Sequence, residues 1–266
     1  MSPCYLVVPT LGNSQITFFK HLNKKDKERR PVKLILLFFI MFYSNAIQTI
    51  TGFAGTLIAM PLSIQVIGVP LSKILLNFIA MISCMWIAIS NYNNINKREL
   101  TKIILLMLIG MVVGLTIYSK IPIHILILSY AILIIIIALK NLCIRKSLHL
   151  PKLLLLMLLL MAGVIHGLII SGGALLVIYA AIVFKDKTEF RATMAAVWAI
   201  LNMFLFGQQA FSGQVNGHIL LLCLLSIIPI TIGIFAGNYL FNRIKQNLFM
   251  ALTNILLLFS GLLLLV

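Results

Sequence analysis

Residues Gln48 to Pro61, QTITGFAGTLIAMP, set two glycines, three threonines and a glutamine inside an otherwise apolar run of membrane grade. A helix that faces lipid has no use for them. Hydrocarbon cannot satisfy the N–H and C=O groups that a broken helix frees, so such a break must face protein or a water-filled cavity. The stretch also has an echo. Adding 118 to each position lands on His166 to Tyr179, HGLIISGGALLVIY, where Gly173 falls on Gly55 and Leu175 on Leu57, and apolar residues fall on apolar ones through Ile178. Glycine-broken segments at matching places in two halves point to a core built from internal repeats, with a site where the repeats meet.

The solvent for most of this chain must be lipid, because 62% of its 266 residues are hydrophobic and 10% are charged, far from the roughly half and quarter of soluble domains. The length accommodates roughly eight to ten membrane elements of about 20 residues each. A formal charge of +16, from 21 Lys and Arg against 5 acids, could suggest nucleic acid. The basic residues instead form short clusters between apolar runs, as in cytoplasmic loops under the positive-inside rule, and no nucleic-acid partner is expected. Cys4, Cys84, Cys143 and Cys223 show no CxxC spacing, so neither a disulfide framework nor a metal site is supported.

In chain order, residues 1–31 read as a cytoplasmic N-terminal tail ending in HLNKKDKERR, and residues 32–266 as the transmembrane domain. Pro31 opens the first run, with Lys33 snorkelling to the headgroups. From Leu34 to Gly68 the chain is apolar with a break in the middle, which fits two short spans, a span plus a re-entrant piece, or one broken helix. Runs at about 71–90, 101–119 and 121–139 complete a first repeat, about 33–140. A basic connector, 141–151, precedes a second repeat, about 152–266. The fold expected is all-α and polytopic, with about eight transmembrane helices plus broken or re-entrant glycine-rich elements. Loops 91–102, 140–152, 185–191 and 241–247 all carry basic residues that ask for the cytoplasm, whereas 211–217 has none. A parallel repeat of four net crossings conflicts with those charges; an odd number per half would invert the second repeat.

Donors freed at the start of a half-helix attract anions, since the helix dipole and unpaired N–H groups act together. On this ground Gly52, Gly55, Gly172 and Gly173 are expected to let backbone approach a small anion. Thr51, Thr56 and Ser171 would offer hydroxyls, and Gln48 and His166 lie across the pseudo-symmetry. The competing reading is that small residues only permit tight helix packing. Lys73 and Arg191, also 118 apart, are candidate charges at the cavity mouth or, alternatively, snorkelling anchors. His166 could relay protons or simply pack. Asp186 and Glu189 read as a helix cap with a reciprocal acid. No Asp or Glu lies deep in an apolar run, so coupling through an embedded carboxylate is not expected.

Thr51-Gly52-Phe53-Ala54-Gly55, running on to Met60-Pro61-Leu62, with the weaker copy from His166-Gly167 through Ser171-Gly172-Gly173, resembles the TauE/SafE family of sulfite-exporter-like permeases. The similarity runs from about residue 33 to 266. Ala54 stands where a glycine is commoner in that family, and Tyr179 replaces the proline of the repeat. The resemblance implies a secondary transporter of sulfite, a related sulfur oxyanion or an organosulfonate across the cytoplasmic membrane. A passive anion channel is the nearest alternative. An intramembrane enzyme lacks H-E-x-x-H or a pair of membrane aspartates, no P-loop suggests ATP-driven pumping, and a scaffold subunit would need no repeated glycine breaks. No cofactor is expected; the anion and the bilayer are the expected partners, and a homo-oligomer is compatible with the sequence.

Overall fold

The computed structural model describes residues 24–117, 151–169 and 173–263, together with scattered positions between 128 and 139. Its helices are α1 (Lys24–Thr51), α2 (Gly55–Ile67), α3 (Val69–Ser90), α4 (Lys97–Ile117), α5 (Lys152–Ile169), α6 (Gly173–Val183), α7 (Lys187–Phe211), α8 (Gly217–Arg243) and α9 (Gln246–Leu263). Four of them hold stretches long and apolar enough to cross a membrane: Lys33–Thr51, Pro70–Ser90, Lys187–Phe211 and Ile219–Arg243. The protein is therefore an all-α membrane protein. The run expected at 121–139 and the connector 141–151 lie largely outside the described residues. Large apolar side chains such as Leu34, Phe39, Leu221 and Ile228 are exposed on α1 and α8, as lipid-facing surfaces require. By contrast α6, apolar all round, is buried from Gly173 through Ala180, the environment such a helix needs.

The broken first run is a span plus a piece that folds back. Ser44 donates to the Gly55 carbonyl at 3.0 Å, and Ala59 of α2 shares an apolar cluster with Leu37, Ile40 and Met41 of α1. α2 thus returns along α1, and Gly68 turns the chain into α3. α3 then runs parallel to α1, with Ser83 bonded to Asn45 and the Gln48 amide donating to Cys84 Sγ at 3.0 Å. The first helix also starts earlier than expected: Lys24–Arg30 are helical and Pro31 lies within α1, because the Lys- and Arg-rich segment ahead of it is itself a good helix former.

α3 and α7 pack antiparallel. Asn77 meets Gln209 at 3.0 Å and the Phe78 and Phe206 rings lie 5.5 Å apart, whereas Asn96, just beyond α3, bonds Glu189 at 2.8 Å. α1 and α8 run parallel, as do α4 and α5, and both pairs are knit by glycines. A Cβ on Gly233 would meet the Phe42 carbonyl at 2.7 Å, and one on Gly237 the Ala46 carbonyl at 2.6 Å. Likewise Gly110 and Gly114 of α4 press on Leu160 and Val164 of α5, and Gly163 and Gly167 press back on Met107 and Met111. These are three G-x-x-x-G pairs, in which absent side chains let backbones approach.

These directions gather one end of the molecule. The Gln246 side chain accepts from Lys187 N at 2.8 Å and donates to the Lys185 carbonyl at 2.7 Å, and Tyr179 donates to Glu99. The turns at 91–97, 184–187 and 243–246 therefore share a face, together with the start of α5. The Lys33 end of α1 lies at the other face, with Gly68 and the 211–217 turn. The start of α1 and the turns at 91–97, 184–187 and 243–246 thus lie at opposite ends, because α1 and α3 point the same way with α2 returning between them.

Candidate functional site

The first break is held together by its own side chains. Gly52, at φ 83°, donates to the Gln48 carbonyl at 2.7 Å. Thr51 Oγ1 accepts from Phe53 N at 3.3 Å and from Ala54 N at 3.1 Å, and Gln48 Oε1 accepts from Gly55 N at 2.7 Å. The expectation of free backbone donors at Gly52 and Gly55 is corrected accordingly. In a low-dielectric interior an unmade backbone bond costs more than the side chains lose by bending back to supply it. Gly55 is instead a packing residue, since a Cβ there would stand 2.4 Å from the Ser44 carbonyl and 2.6 Å from Gln48 Cβ. Thr56, half-buried, sits in the first turn of α2.

The break rests on α7. A Cβ on Gly52 would meet the Arg191 carbonyl oxygen at 3.0 Å and Met194 Cβ at 3.4 Å. Arg191 itself is only 2% exposed. Its guanidinium donates to Asn238 and lies 4.0 Å from the centre of the Phe241 ring, a cation–π contact, while its Nε has no partner. Lys73, at the matching position in α3, is half-buried and lies toward the opposite end of the bundle. The two charges do not share one cavity mouth.

One and two turns further along α7 the same helix face carries Met194 and Trp198. The Trp198 indole is 6% exposed and His166 2%. Their rings lie 5.3 Å apart, and Trp198 Nε1 and both imidazole nitrogens are without hydrogen-bond partners. Trp198 also covers the start of α6, its ring 3.4 Å from where a Gly173 Cβ would stand. His166 and Gly173 are therefore brought together, whereas Ser171 and Gly172 lie outside the described residues. Trp198 escaped the sequence reading. The available signal was its place in a span two turns beyond Arg191.

Among the described residues no Asp or Glu is buried, and no group of His, Cys, Asp and Glu is arranged to hold a metal. Glu99, Asp186 and Glu189 sit at the loop face, and Asp26 and Glu28 fall in the first turns of α1. Asp186 Oδ1 caps α7, accepting from Thr188 N and Glu189 N, each at 2.9 Å. Glu189 accepts from Asn96 instead of closing the cap reciprocally. Glu99 pairs with Lys102 at 2.6 Å. Burial raises the Glu99 carboxyl, but the bonds from Lys102 and Tyr179, with the Lys102 and Arg98 charges, outweigh it and hold the group below its usual range. Among the described residues the interior thus carries buried donors and one buried cation without a buried carboxylate, a field that favours negative charge.

Searches of curated proteins and of solved structures return no match. The family described as sulfite exporter TauE/SafE matches residues 36–264. With a match across most of its length, including both broken segments and all of α7, the chain belongs to the sulfite exporter TauE/SafE family.

Proposed function

We propose that the protein is a secondary carrier that moves a small sulfur oxyanion or organosulfonate across the cytoplasmic membrane, through a site between two inverted repeats. The observation that carries this reading is the donor-rich face of α7. Arg191, Trp198 and the facing His166 are all buried, all retain unpartnered N–H or ring nitrogen atoms, and have no buried carboxylate among the described residues to answer them. Burying a cation without a counter-ion costs several kcal/mol, and a transported anion supplies the missing charge. Family membership supports the transport of sulfur-type anions.

The helix pairing supports the inversion. α1, α2, α3 and α4 correspond to α5, α6, α7 and α8 at an offset of 118, and α2 and α6 begin at the glycines Gly55 and Gly173 that this offset relates. α3 lies antiparallel to its counterpart α7. The α1–α8 and α4–α5 contacts exchange under the same correspondence, each parallel and each glycine-mediated. We assign the face with turns 91–97, 184–187 and 243–246 to the cytoplasm, because Lys97, Arg98, Lys102, Lys152, Lys185, Lys187, Arg243 and Lys245 gather there. In this assignment α1 begins on the outer side.

The test is a flux screen in proteoliposomes with sulfite, sulfate, thiosulfate and small sulfonates. Saturable protein-dependent uptake of at least one, driven by an ion gradient, is expected. Correctly inserted protein that moves none of them would overturn the assignment.

A further inference from the structure

Gln48 and His166 are separated by 118 residues, and each stands seven positions before the glycine that begins the returning helix, Gly55 or Gly173. The first half shows what the start of such a helix takes: an oxygen acceptor, supplied internally when Gln48 Oε1 receives the Gly55 N–H at 2.7 Å. Among the described residues of the second half no side-chain oxygen bonds the start of α6; Ser171 and Gly172 lie outside them. A histidine occupies the equivalent position, with both nitrogens unpartnered at 2% exposure. The Trp198 indole lies against both His166 and Gly173, and its own N–H is unpartnered. Where one repeat places an amide oxygen on the helix start, the other sets unpartnered imidazole and indole nitrogens beside it.

We infer that the anion binds at one off-axis site, at the start of α6, with an anion oxygen in the place that the Gln48 amide oxygen takes in the first half and with His166 and Trp198 as its donors. The first break is then a self-filled copy of the site: Gln48 acts as a built-in ligand that keeps α2 closed on α1 and leaves no room for a second anion. This rests on the transport reading above and makes it asymmetric, with one anion per chain despite two repeats. The indole N–H is a neutral donor of fixed direction, and α6 contributes the positive end of its dipole. A compact tetrahedral or pyramidal oxyanion can accept from several sides at once, as such a site requires.

The symmetry supplies its own test. Purified protein is titrated by calorimetry with sulfite, sulfate, thiosulfate and methanesulfonate in turn, as wild type and as H166Q, H166A and W198F, each checked for a monodisperse, cooperatively melting state. W198F keeps the ring and loses the donor, and affinity is expected to fall about tenfold, the effect of removing one hydrogen bond to a charged group. The two His166 variants separate binding from shape. Glutamine at this position can place its amide oxygen on the α6 N–H groups as Gln48 does in the first half, so H166Q is expected to bind more weakly than H166A. A packing role predicts the opposite order, because glutamine is nearer to histidine in size. Unchanged affinity in folded W198F, H166A binding more weakly than H166Q, or two equivalent anions per chain would each overturn the inference while leaving transport intact. Should H166Q not fold, W198F and the stoichiometry decide. Failure of all four anions to bind the wild type would instead remove the transport reading, and this site with it.

Discussion

Gln48 spans its own helix break: its backbone carbonyl holds Gly52, and its side chain holds Gly55. This separates two glycines that look alike in sequence. At Gly55 the nearest neighbour of a new Cβ is a backbone carbonyl at 2.4 Å, which cannot move away, whereas at Gly173 it is the edge of the Trp198 ring at 3.4 Å, an ordinary contact. Gly55→Ala is expected to destabilise the protein by about 1–3 kcal/mol, as overpacking does, and Gly173→Ala by much less. Thermal melts of the two detergent-solubilised variants check the difference; equal melting temperatures would show that α2 does not press on α1 in this way. Transport lost on enlarging Gly55 therefore reports folding first. At this scale the sequence was partly legible. Asp186 is a cap because an acid two and three residues before free N–H groups has one local geometry. The capping of Gly55 by Gln48 reaches across a break whose path no local pattern fixes, and Trp198 gains its meaning only when α6 folds beneath it.

At the scale of helices, the apolar runs and their punctuation were readable, since Gly68, the Asn-rich turn at 91–96 and the 211–217 turn all end helices where turn residues stand. Direction was not. A 35-residue apolar stretch with a glycine break leaves open whether its second part continues or returns, and that choice reverses every later helix. The return of α2 along α1 decides it through contacts between residues 44 and 55. The G-x-x-x-G pairs of α4, α5 and α8 were present in the sequence, but only partners identify them as seams instead of breaks. The resulting arrangement predicts labelling. Single cysteines at Asn94, Asp186 and Lys245, in a background without Cys4, Cys84, Cys143 and Cys223, should react with an impermeant maleimide from one side, and a cysteine at Gly213 from the other. Labelling of Asn94 and Asp186 from opposite sides would break the shared face that the Asn96–Glu189 and Lys187–Gln246 bonds define.

For the molecule as a whole, the proposed repeats differ at the positions that the 118-residue offset relates: Gln48 fills the first break, and His166 and Trp198 stand with unpartnered nitrogens at the second. On the proposed reading, inverted repeats packed on the antiparallel α3 and α7 would rock about that seam and expose the site to either face in turn, the behaviour expected of alternating access. A carrier that works so exchanges bound anion across the membrane, and a channel does not. Counterflow measures this directly. Proteoliposomes loaded with unlabelled sulfite and diluted into a trace of labelled sulfite should accumulate label above its external concentration and then lose it, with W198F reducing the overshoot. Label that only rises to equilibrium, without an overshoot at any internal loading, would contradict the carrier.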